Sequence, residues 1–296
     1  MPLESFIHDL LEDPLRFRAQ IVKALQNKDD YGFTQGSDPK PREGVSVVFF
    51  LLGRHAPKGR GRAELCILLN KRSSRVRQPG DLCCPGGGVT PRCDAWIGSL
   101  LRLPGSPLFR WAGYQALKRR APLQLRQLSL LMAAAMREGM EEMRLNPLDV
   151  RFLGQLPSEP LVLFQRLIHP LVGWVGRFQR LAPNWEVERI VWLPVHRLLD
   201  PRGYIRLRTM LRVGAGPQAA PAPRDFPAFR FDTPDGAEIL WGATYRITMA
   251  FLAQVLGFTP PDPAGLPIVA RRLEAAYLTG NGRAGRDPAL PGADAN

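Results

Sequence analysis

The sequence has few cysteines and no long apolar run. Cys66, Cys83, Cys84 and Cys93 are too few and too unevenly spaced for a disulfide framework or a zinc cage. We interpret Cys83 and Cys84 as small buried apolar residues at the end of a strand. Because no apolar stretch approaches the roughly 18 residues of a membrane span, the sequence also excludes a helical membrane protein.

Targeting signals, repeats and common phosphate-loop motifs are missing as well. The first residues, Met1 to Ser5, lack the basic start and the apolar core of a signal peptide, so we expect a cytoplasmic location. There is no internal repeat and no Walker-type phosphate loop, which argues against repeat proteins and P-loop nucleotidases.

Negative charge is in short supply. The chain has 40 Lys and Arg against 27 Asp and Glu, a net charge of +13 over 296 residues. This balance suits an anionic partner, either a polyphosphate ligand, nucleic acid or an anionic membrane surface, and does not choose among them. The apolar fraction of 45% and the charged fraction of 23% are ordinary for a globular protein of one elaborated domain or two small ones.

Three acidic residues are clustered in the segment 135–145. On a helix, Glu138, Glu141 and Glu142 lie at i, i+3 and i+4, so the three carboxylates share one face. The methionines at 136, 140 and 143 recur at helical spacing and are predicted to form the buried face. Three clustered carboxylates suit a hard divalent cation, although a solvated acidic face is the simpler alternative.

Hydrophobic patterning predicts a mixture of strands and helices. The amino-terminal residues 1–27 have a helical stripe broken by a proline, and a polar linker follows up to residue 43. We predict a central domain over 44–258 and a carboxy-terminal extension over 259–296, partly disordered from about residue 279, with a short helical patch at 268–278. The predicted strands are 45–52, 65–70, 150–156 and 167–175, with a hairpin formed by 229–231 and 237–240 and a helix at 244–256.

A dense cluster of cations lies between the second predicted strand and a glycine-rich segment. Residues 71–81 contain Lys71, Arg72, Arg75 and Arg77, with hydroxyl groups at positions 73 and 74. Guanidinium groups bind phosphate through two parallel hydrogen bonds and keep their charge. The segment is therefore either a phosphate-binding loop or a solvated basic loop.

These motifs together resemble those of the Nudix hydrolases. The segment Cys84-Pro85-Gly86-Gly87-Gly88 followed by Arg137-Glu138-x-x-Glu141-Glu142 resembles the family signature. Within the family, the coenzyme A pyrophosphatase branch is the most similar, because Arg72-Ser73-Ser74-Arg75-Val76-Arg77 and Trp241-Gly242-Ala243-Thr244 match its further motifs. There are three departures. Arg144 replaces a family glycine, a motif histidine is missing near Gln78, and 42 residues (95–136) separate Asp94 from Arg137 where the family has seven.

The resemblance implies an α/β fold, a Nudix-type α/β/α sandwich with a mixed sheet and a helical insertion (95–131) within the signature. It implies that Glu138, Glu141 and Glu142 bind Mg²⁺ or Mn²⁺, and that Arg137 orients carboxylates or loop carbonyls. Substrate phosphates would contact Arg72, Ser73, Arg77, Gly86 and Gly87. Glu186 or Glu188 could supply a further carboxylate.

The function implied is hydrolysis of coenzyme A or an acyl-CoA to 3′,5′-ADP and (acyl-)4′-phosphopantetheine. Two alternatives remain. The first is a Nudix pyrophosphatase for another nucleoside diphosphate derivative, and the second is a catalytically silent module that binds nucleotides or RNA. Nucleic acid is the less favoured partner, because a binding module has no need of clustered carboxylates, and a homodimer is possible. The insertion could be a lid, a dimer contact, a membrane-surface foot or simply a packed helical hairpin.

Overall fold

A long buried strand, β1 (Val45–His55), lies inside the larger of two sheets. A computed structural model describes residues 3–26, 44–56, 62–161, 166–176, 179–211, 222–273 and 277. The β-branched and aromatic residues of β1 suit a strand that is covered on both faces. Val47, Phe49 and Leu51 pack in one apolar cluster, and the alternating residues Phe50 and Leu52 pack in the other.

The larger sheet has eight strands. Its further strands are β2 (Glu64–Arg72), β3 (Leu82–Cys83), β4 (Gly86–Gly88), β5 (Val150–Gln155), β6 (Glu159–Leu161), β7 (Arg166–Val175) and β8 (Val187–Pro194). Their order is β3-β2-β1-β7-β5, with β4 beside β1, β6 beside β7 and β8 beside β2. Because β1 pairs with β7 in parallel and with β2 antiparallel, the sheet is mixed, as predicted.

Helices cover both faces of this sheet. They are α1 (Leu3–Glu12), α2 (Pro14–Gln26), α3 (Pro91–Leu100), α4 (Tyr114–Arg120), α5 (Pro122–Met143) and α6 (Gly242–Leu256). Apolar residues of α1, α2 and α6 pack on one face, and those of α4 and α5 pack on the other. The predicted α/β class, with a mixed sheet between helical layers, is confirmed.

A second, four-stranded sheet contains the predicted hairpin. Its strands are β9 (Tyr204–Leu211), β10 (Ala222–Thr233), β11 (Gly236–Trp241) and β12 (Ile268–Arg271), in the order β11-β10-β9-β12. The predicted helical patch at 268–278 is wrong over its first four residues, which form β12. β12 pairs in parallel with the edge of β9, where it satisfies backbone groups of that strand, and Val269 packs against the apolar residues Ile205 and Leu207 of β9.

The insertion is helical, but its boundaries differ from the prediction. It begins within α3, and its last ten residues, 122–131, belong to α5 and so continue directly into the glutamate helix. The two helices approach closely, since a Cβ atom on Gly98 would lie 2.9 Å from the carbonyl oxygen of Ser129. This contact brings the beginning of the insertion back to the helix that carries the glutamates.

The amino-terminal segment is two helices rather than one. Asp13 lies between them, and its Oδ1 accepts hydrogen bonds from the backbone N–H groups of Leu15 (2.9 Å) and Arg16 (3.1 Å). The first turn of α2 is therefore capped by a side chain, and Pro14 is tolerated there. The predicted linker up to residue 43, residues 57–61 between the first two predicted strands, and the segment from residue 278 lie outside the described residues. Among the described helices, none combines the length and apolar character needed to cross a membrane.

Candidate active site

Arg137 is the centre of a hydrogen-bond network that joins the glutamate helix α5 to the start of α3 and to the glycine strand β4. Its Nε donates to Asp94 Oδ1 (2.9 Å), and its Nη2 donates to Asp94 Oδ2 (3.3 Å) and to the carbonyl oxygen of Gly88 (2.9 Å). Its Nη1 donates to Glu138 Oε1 (2.9 Å) and to Glu141 Oε2 (3.3 Å). The hydrogen bond to buried Asp94 is the largest cause that raises the pKa of Arg137. The guanidinium thus fixes three carboxylates and the glycine strand relative to one another.

Asp94 reaches this network across the whole insertion. It is fully buried near the start of α3, where its Oδ2 also accepts from the backbone N–H of Thr90 (2.6 Å). In the sequence, 42 residues separate it from Arg137. The packing of α3 on α5 closes that gap, so the ends of the insertion meet at the site.

Glu142 is the buried carboxylate of the three. Its Oε2 accepts hydrogen bonds from Asn70 Nδ2 (2.8 Å) and from the backbone N–H of Gly86 (3.3 Å). Burial, followed by the charge of Glu138, raises the pKa of Glu142 to about 8, while the Gly86 N–H and the charge of Arg72 oppose that rise. The folded chain therefore holds a carboxylate whose negative charge is poorly compensated.

Glu138 lies against the glycine strand. A Cβ atom added to Gly87 would come within 2.5 Å of the Glu138 carboxylate, so β4 carries a residue without a side chain at this point. At Gly86 the backbone φ is +156°, and a Cβ would lie 2.2 Å from the carbonyl oxygen of Val47. Burial raises the pKa of Glu138, and the charges of Glu141 and Glu186 add to the rise. The glycines therefore permit a close approach between backbone and carboxylate.

The third glutamate faces solvent. The side chain of Glu141 is 57% exposed, and Arg137 is its contact. The predicted buried face is wrong for Met140, which is 50% exposed, whereas Met136 and Met143 are buried as expected. The buried face of α5 is centred nearer Gly139, so Met140 lies at one margin and Glu142 at the other.

The cationic loop lies beside the buried glutamate. The charge of Arg72 lowers the pKa of Glu142, while its Nε donates to the carbonyl oxygen of Arg77 (2.7 Å). Ser73 is buried, and its hydroxyl donates to the carbonyl oxygen of Trp185 (2.8 Å), which places it inside the loop rather than at its surface. The Arg77 side chain is exposed. Of the predicted phosphate contacts, Arg72 and the two glycines lie next to the glutamates.

Sequence reasoning missed two polar residues of this region. Asn70 is fully buried at the end of an apolar strand, and the signal that could have found it is that single amide in an otherwise apolar run. Asp81 is the second, since it accepts hydrogen bonds from Trp241 Nε1 (3.1 Å), Arg271 Nη1 (2.8 Å) and the hydroxyl of Tyr277. Asn70 donates a hydrogen bond to Glu142 on the glutamate helix, and Asp81 fixes the end of the cationic loop.

The strand residues proposed as further carboxylates behave differently. Glu186 is one of the charges that raise the pKa of both Glu138 and Glu142, so it faces the same site. Glu188 instead pairs with Lys71, at 3.5 Å between Oε1 and Nζ. His169 is buried, its Nδ1 lies 2.9 Å from the Ser158 hydroxyl, and burial lowers its pKa to about 4.

The donor chemistry of this site fits a hard divalent cation. The buried carboxylate of Glu142 and the partly buried carboxylate of Glu138 have raised pKa values, and the exposed carboxylate of Glu141 lies on the same helix face. A hard cation prefers oxygen donors and would supply the missing positive charge. In the described part of the chain, however, no three acidic, histidine or cysteine side chains already converge on one point.

All four cysteines are free thiols. Cys66 and Cys84 are buried, Cys83 is partly buried and Cys93 is exposed. Burial raises the pKa of Cys83 to about 12 and also raises that of Cys84. Neither thiol is therefore ionised at neutral pH, which agrees with an apolar packing role beside the glycine strand.

The chain is similar to solved structures, but its sequence matches no family model and no curated protein. Among solved structures, a Nudix hydrolase from M. smegmatis, RenU, is 14% identical and has a TM-score of 0.32, covering 53% of this chain and 74% of its own. A C. elegans Ap4A hydrolase (13%, TM-score 0.32) covers 52% and 81% of the two chains. The NUDIX domain of Shewanella oneidensis NrtR, complexed with ADP ribose (14%, TM-score 0.32), covers 58% and 87%. At these values, none of the similarities assigns the chain to a family.

Proposed function

We propose that the chain is a divalent-metal-dependent hydrolase of the Nudix type that cleaves the pyrophosphate bond of a nucleoside diphosphate derivative. The observation that carries this proposal is the Arg137 network, which holds Glu138 and Glu141 beside the buried Glu142 and the glycine strand. Three carboxylates on one helix face repel one another. A metal-binding role gives that arrangement a purpose.

Each residue of the site has a separate proposed role. Glu138, Glu141 and Glu142 would hold Mg²⁺ or Mn²⁺, which when bound neutralises a pyrophosphate and lowers the pKa of water. Arg137 positions two of these carboxylates, and the Gly86 N–H and Asn70 position the third. Arg72 brings a permanent positive charge to the same place, where it would bind substrate phosphate.

We propose coenzyme A or an acyl-CoA as the substrate. The proposal is supported by the cationic loop, because the charge of its Arg72 lowers the pKa of Glu142. Water would add to one phosphorus of the pyrophosphate, and the bridging P–O bond would break, giving 3′,5′-ADP and (acyl-)4′-phosphopantetheine. Ser73 and Arg77 remain proposed phosphate contacts. A homodimer and a cytoplasmic location likewise remain predictions.

The first experiment is a product assay by mass spectrometry with Mg²⁺ and with Mn²⁺. The substrates are coenzyme A, acyl-CoAs, NADH, ADP-ribose and diadenosine polyphosphates. Formation of 3′,5′-ADP from coenzyme A supports the full proposal. Cleavage of another substrate alone keeps the hydrolase and rejects coenzyme A.

The same assay tests the metal assignment by substitution. Glu141→Gln is expected to abolish turnover and leave the fold intact, because this exposed side chain has one long contact to Arg137. The matched control is Glu64→Gln, an exposed glutamate at the start of β2, which should retain full activity. Full activity of Glu141→Gln would contradict the metal role.

A second candidate function is nucleotide or RNA binding without catalysis. It is favoured by the net charge of +13 and by the absence, among the described residues, of three carboxylates already converged on one point. This candidate predicts RNA binding that weakens steeply with salt, together with no turnover of any substrate in the panel.

A further inference from the structure

An open cavity lies at the end of the larger sheet away from the glutamates. Its volume is about 1240 Å³, and it is bordered by α2, by the ends of β1, β5 and β7, and by residues 107–112 of the insertion. Along β1, the glycine strand pairs at Val47 and Val48, whereas the cavity is reached at Arg54. At about 3.3 Å per residue, these points are roughly 20 Å apart. The cavity is therefore separate from the glutamate site.

The polar lining of the cavity is dominated by guanidinium groups. Two carboxylates also line it, and both already make hydrogen bonds within the protein. Asp13 caps α2, and Asp149 Oδ2 accepts a hydrogen bond from Gln179 Nε2 (3.5 Å). With four arginines and two carboxylates, the lining of the cavity has a net charge of +2. The arginines of the cavity are Arg18, Arg54, Arg110 and Arg151.

Arg18 carries the strongest indication of a ligand. Its Nε is buried and has no hydrogen-bond partner among the described residues. Its guanidinium lies over the ring of Trp174, 5.3 Å from the centroid. Burial, followed by the charge of Arg151, lowers the pKa of Arg18. A buried donor next to a second cation is unfavourable by itself and would be relieved by an anion.

The mouth of the cavity is apolar. Leu15 and Leu148 line it, and they are 69% and 72% exposed, among the most exposed large apolar side chains described. The insertion forms the opposite wall, where Trp111 is fixed by a hydrogen bond from its Nε1 to the carbonyl oxygen of Leu153 (3.3 Å). A ligand that fits this lining has an anionic head and an apolar or aromatic body.

We propose that this cavity binds an organic phosphate monoester, with its phosphate on Arg18, Arg110 and Arg151 and its body against Leu15 and Leu148. A phosphate monoester carries about −1.5 to −2 charges at pH 7, which matches the net +2 of the lining. Guanidinium forks suit phosphate oxygens. The volume exceeds what inorganic phosphate alone would fill. This inference is independent of the proposed hydrolase, and it gives residues 107–112 of the insertion a binding role.

The test is isothermal titration of the full chain in EDTA with AMP, hexyl phosphate and inorganic phosphate. We expect one of the two organic phosphates to bind at least tenfold more tightly than inorganic phosphate. Arg18→Gln and, separately, Arg151→Gln should each weaken that binding at least tenfold. The matched control Arg230→Gln, an exposed arginine on β10, should change it less than twofold. Thermal unfolding checks the fold, and Arg18→Gln should not be less stable.

A lipid phosphate is the alternative source of the same chemistry. Binding to vesicles containing phosphatidic acid that Arg18→Gln and Arg151→Gln abolish, and Arg230→Gln preserves, supports the site with a lipid as its ligand. Absence of binding to all four probes overturns the proposal. Binding that the two cavity variants leave unchanged overturns it as well, as does binding lost in Arg72→Gln alone, which would place the ligand at the glutamate site.

Discussion

At the scale of single residues, Arg137 organises the candidate site because one planar guanidinium reaches four acceptors. Asp94, Glu138, Glu141 and the carbonyl of Gly88 all lie within 3.3 Å of its nitrogens. An ammonium group has three donors on a single atom and cannot span this set. The identity of the residue, and not merely its charge, therefore matters.

Arg137→Lys should weaken the apparent affinity for Mg²⁺ or Mn²⁺ by 10- to 100-fold, the usual effect of removing a group that orients metal ligands. The measurement is product formation as a function of metal concentration. Arg126→Lys, an exposed arginine on the same helix, is the control and should behave as the native chain. Equal metal dependence in the two variants would contradict the orienting role.

His169 makes the stability of the protein depend on pH. Burial lowers its pKa to about 4, so the folded chain keeps it neutral where the unfolded chain, with a pKa near 6.5, binds a proton. Between these values the unfolded state holds more protons, and stability falls as the pH falls. The loss is fully developed below pH 4 and absent well above pH 6.5.

The free energy of unfolding, from urea titrations at pH 7 and pH 5, should therefore drop by about 1 to 2 kcal/mol through this group. His169→Gln should show a smaller drop over the same interval, whatever its stability at pH 7. The control variant is His196→Gln, because His196, unlike His169, is exposed. The same pH dependence in His169→Gln and in the native chain would refute this assignment.

At the scale of elements, the end of the glutamate helix departs from the most favourable chemistry. Arg144 follows α5 in the left-handed region, with φ 56° and ψ 35°, and its N–H donates to the carbonyl of Met140 (3.0 Å). Helices commonly end in this way on a glycine, because a residue with a Cβ is strained there. Arg144 therefore has the backbone geometry of a glycine cap, at a cost in backbone strain.

Arg144→Gly should raise the free energy of unfolding by about 1 kcal/mol, since glycine adopts this conformation without strain. Arg144→Ala keeps the Cβ and loses the same charge, so it should give no such gain. Chemical denaturation of the three proteins at one pH measures the difference. A gain in Arg144→Ala as large as in Arg144→Gly would show that charge, and not backbone strain, is the cause.

The elements also show where prediction from sequence succeeds. Long apolar strands such as β1 and β7 were predicted within a few residues, because continuous β-branched and aromatic runs suit buried strands. The short segment 268–271 was predicted as helix and forms β12. Its pattern is too short to distinguish the helical period from the strand period, and the segment is a strand because it pairs with the edge of β9.

At the scale of the whole molecule, Asp81 connects the two sheets. It is the last residue of the cationic loop (71–81) of the larger sheet, and it accepts hydrogen bonds from Trp241 of β11, Arg271 of β12 and Tyr277. The backbone N–H of Gln78 also donates to the carbonyl oxygen of Tyr277 (2.8 Å). Residues of the carboxy-terminal extension thus hold the loop that carries Arg72.

Arg271→Gln combined with Tyr277→Phe should loosen that loop, because Asp81 then keeps one of three donors. Hydrogen exchange of the amides at 73–81 is expected to become faster by at least tenfold. The neighbouring exposed residue provides the control, and Arg272→Gln should leave exchange unchanged. If these amides exchange as slowly in the double variant as in the native chain, the extension does not hold the loop.

The chemistry of the candidate site follows from short stretches of the sequence. Glu138, Glu141 and Glu142 share a helix face because of their spacing, and glycines at 86 and 87 provide a backbone that carboxylates can approach. These features are local, since helical periodicity and the absence of a side chain do not depend on distant residues. The α/β class followed from the same kind of local pattern.

Which distant groups meet this helix face depends on how the elements pack. Asp94 reaches Arg137 across 42 residues, Asn70 reaches Glu142 from β2, and Asp81 draws in the carboxy-terminal segment. The cavity of arginines at the other end of the sheet likewise combines α2 with the insertion and three strands. Such contacts are set by how helices and sheets pack, and a pattern of neighbouring residues carries no information about that packing.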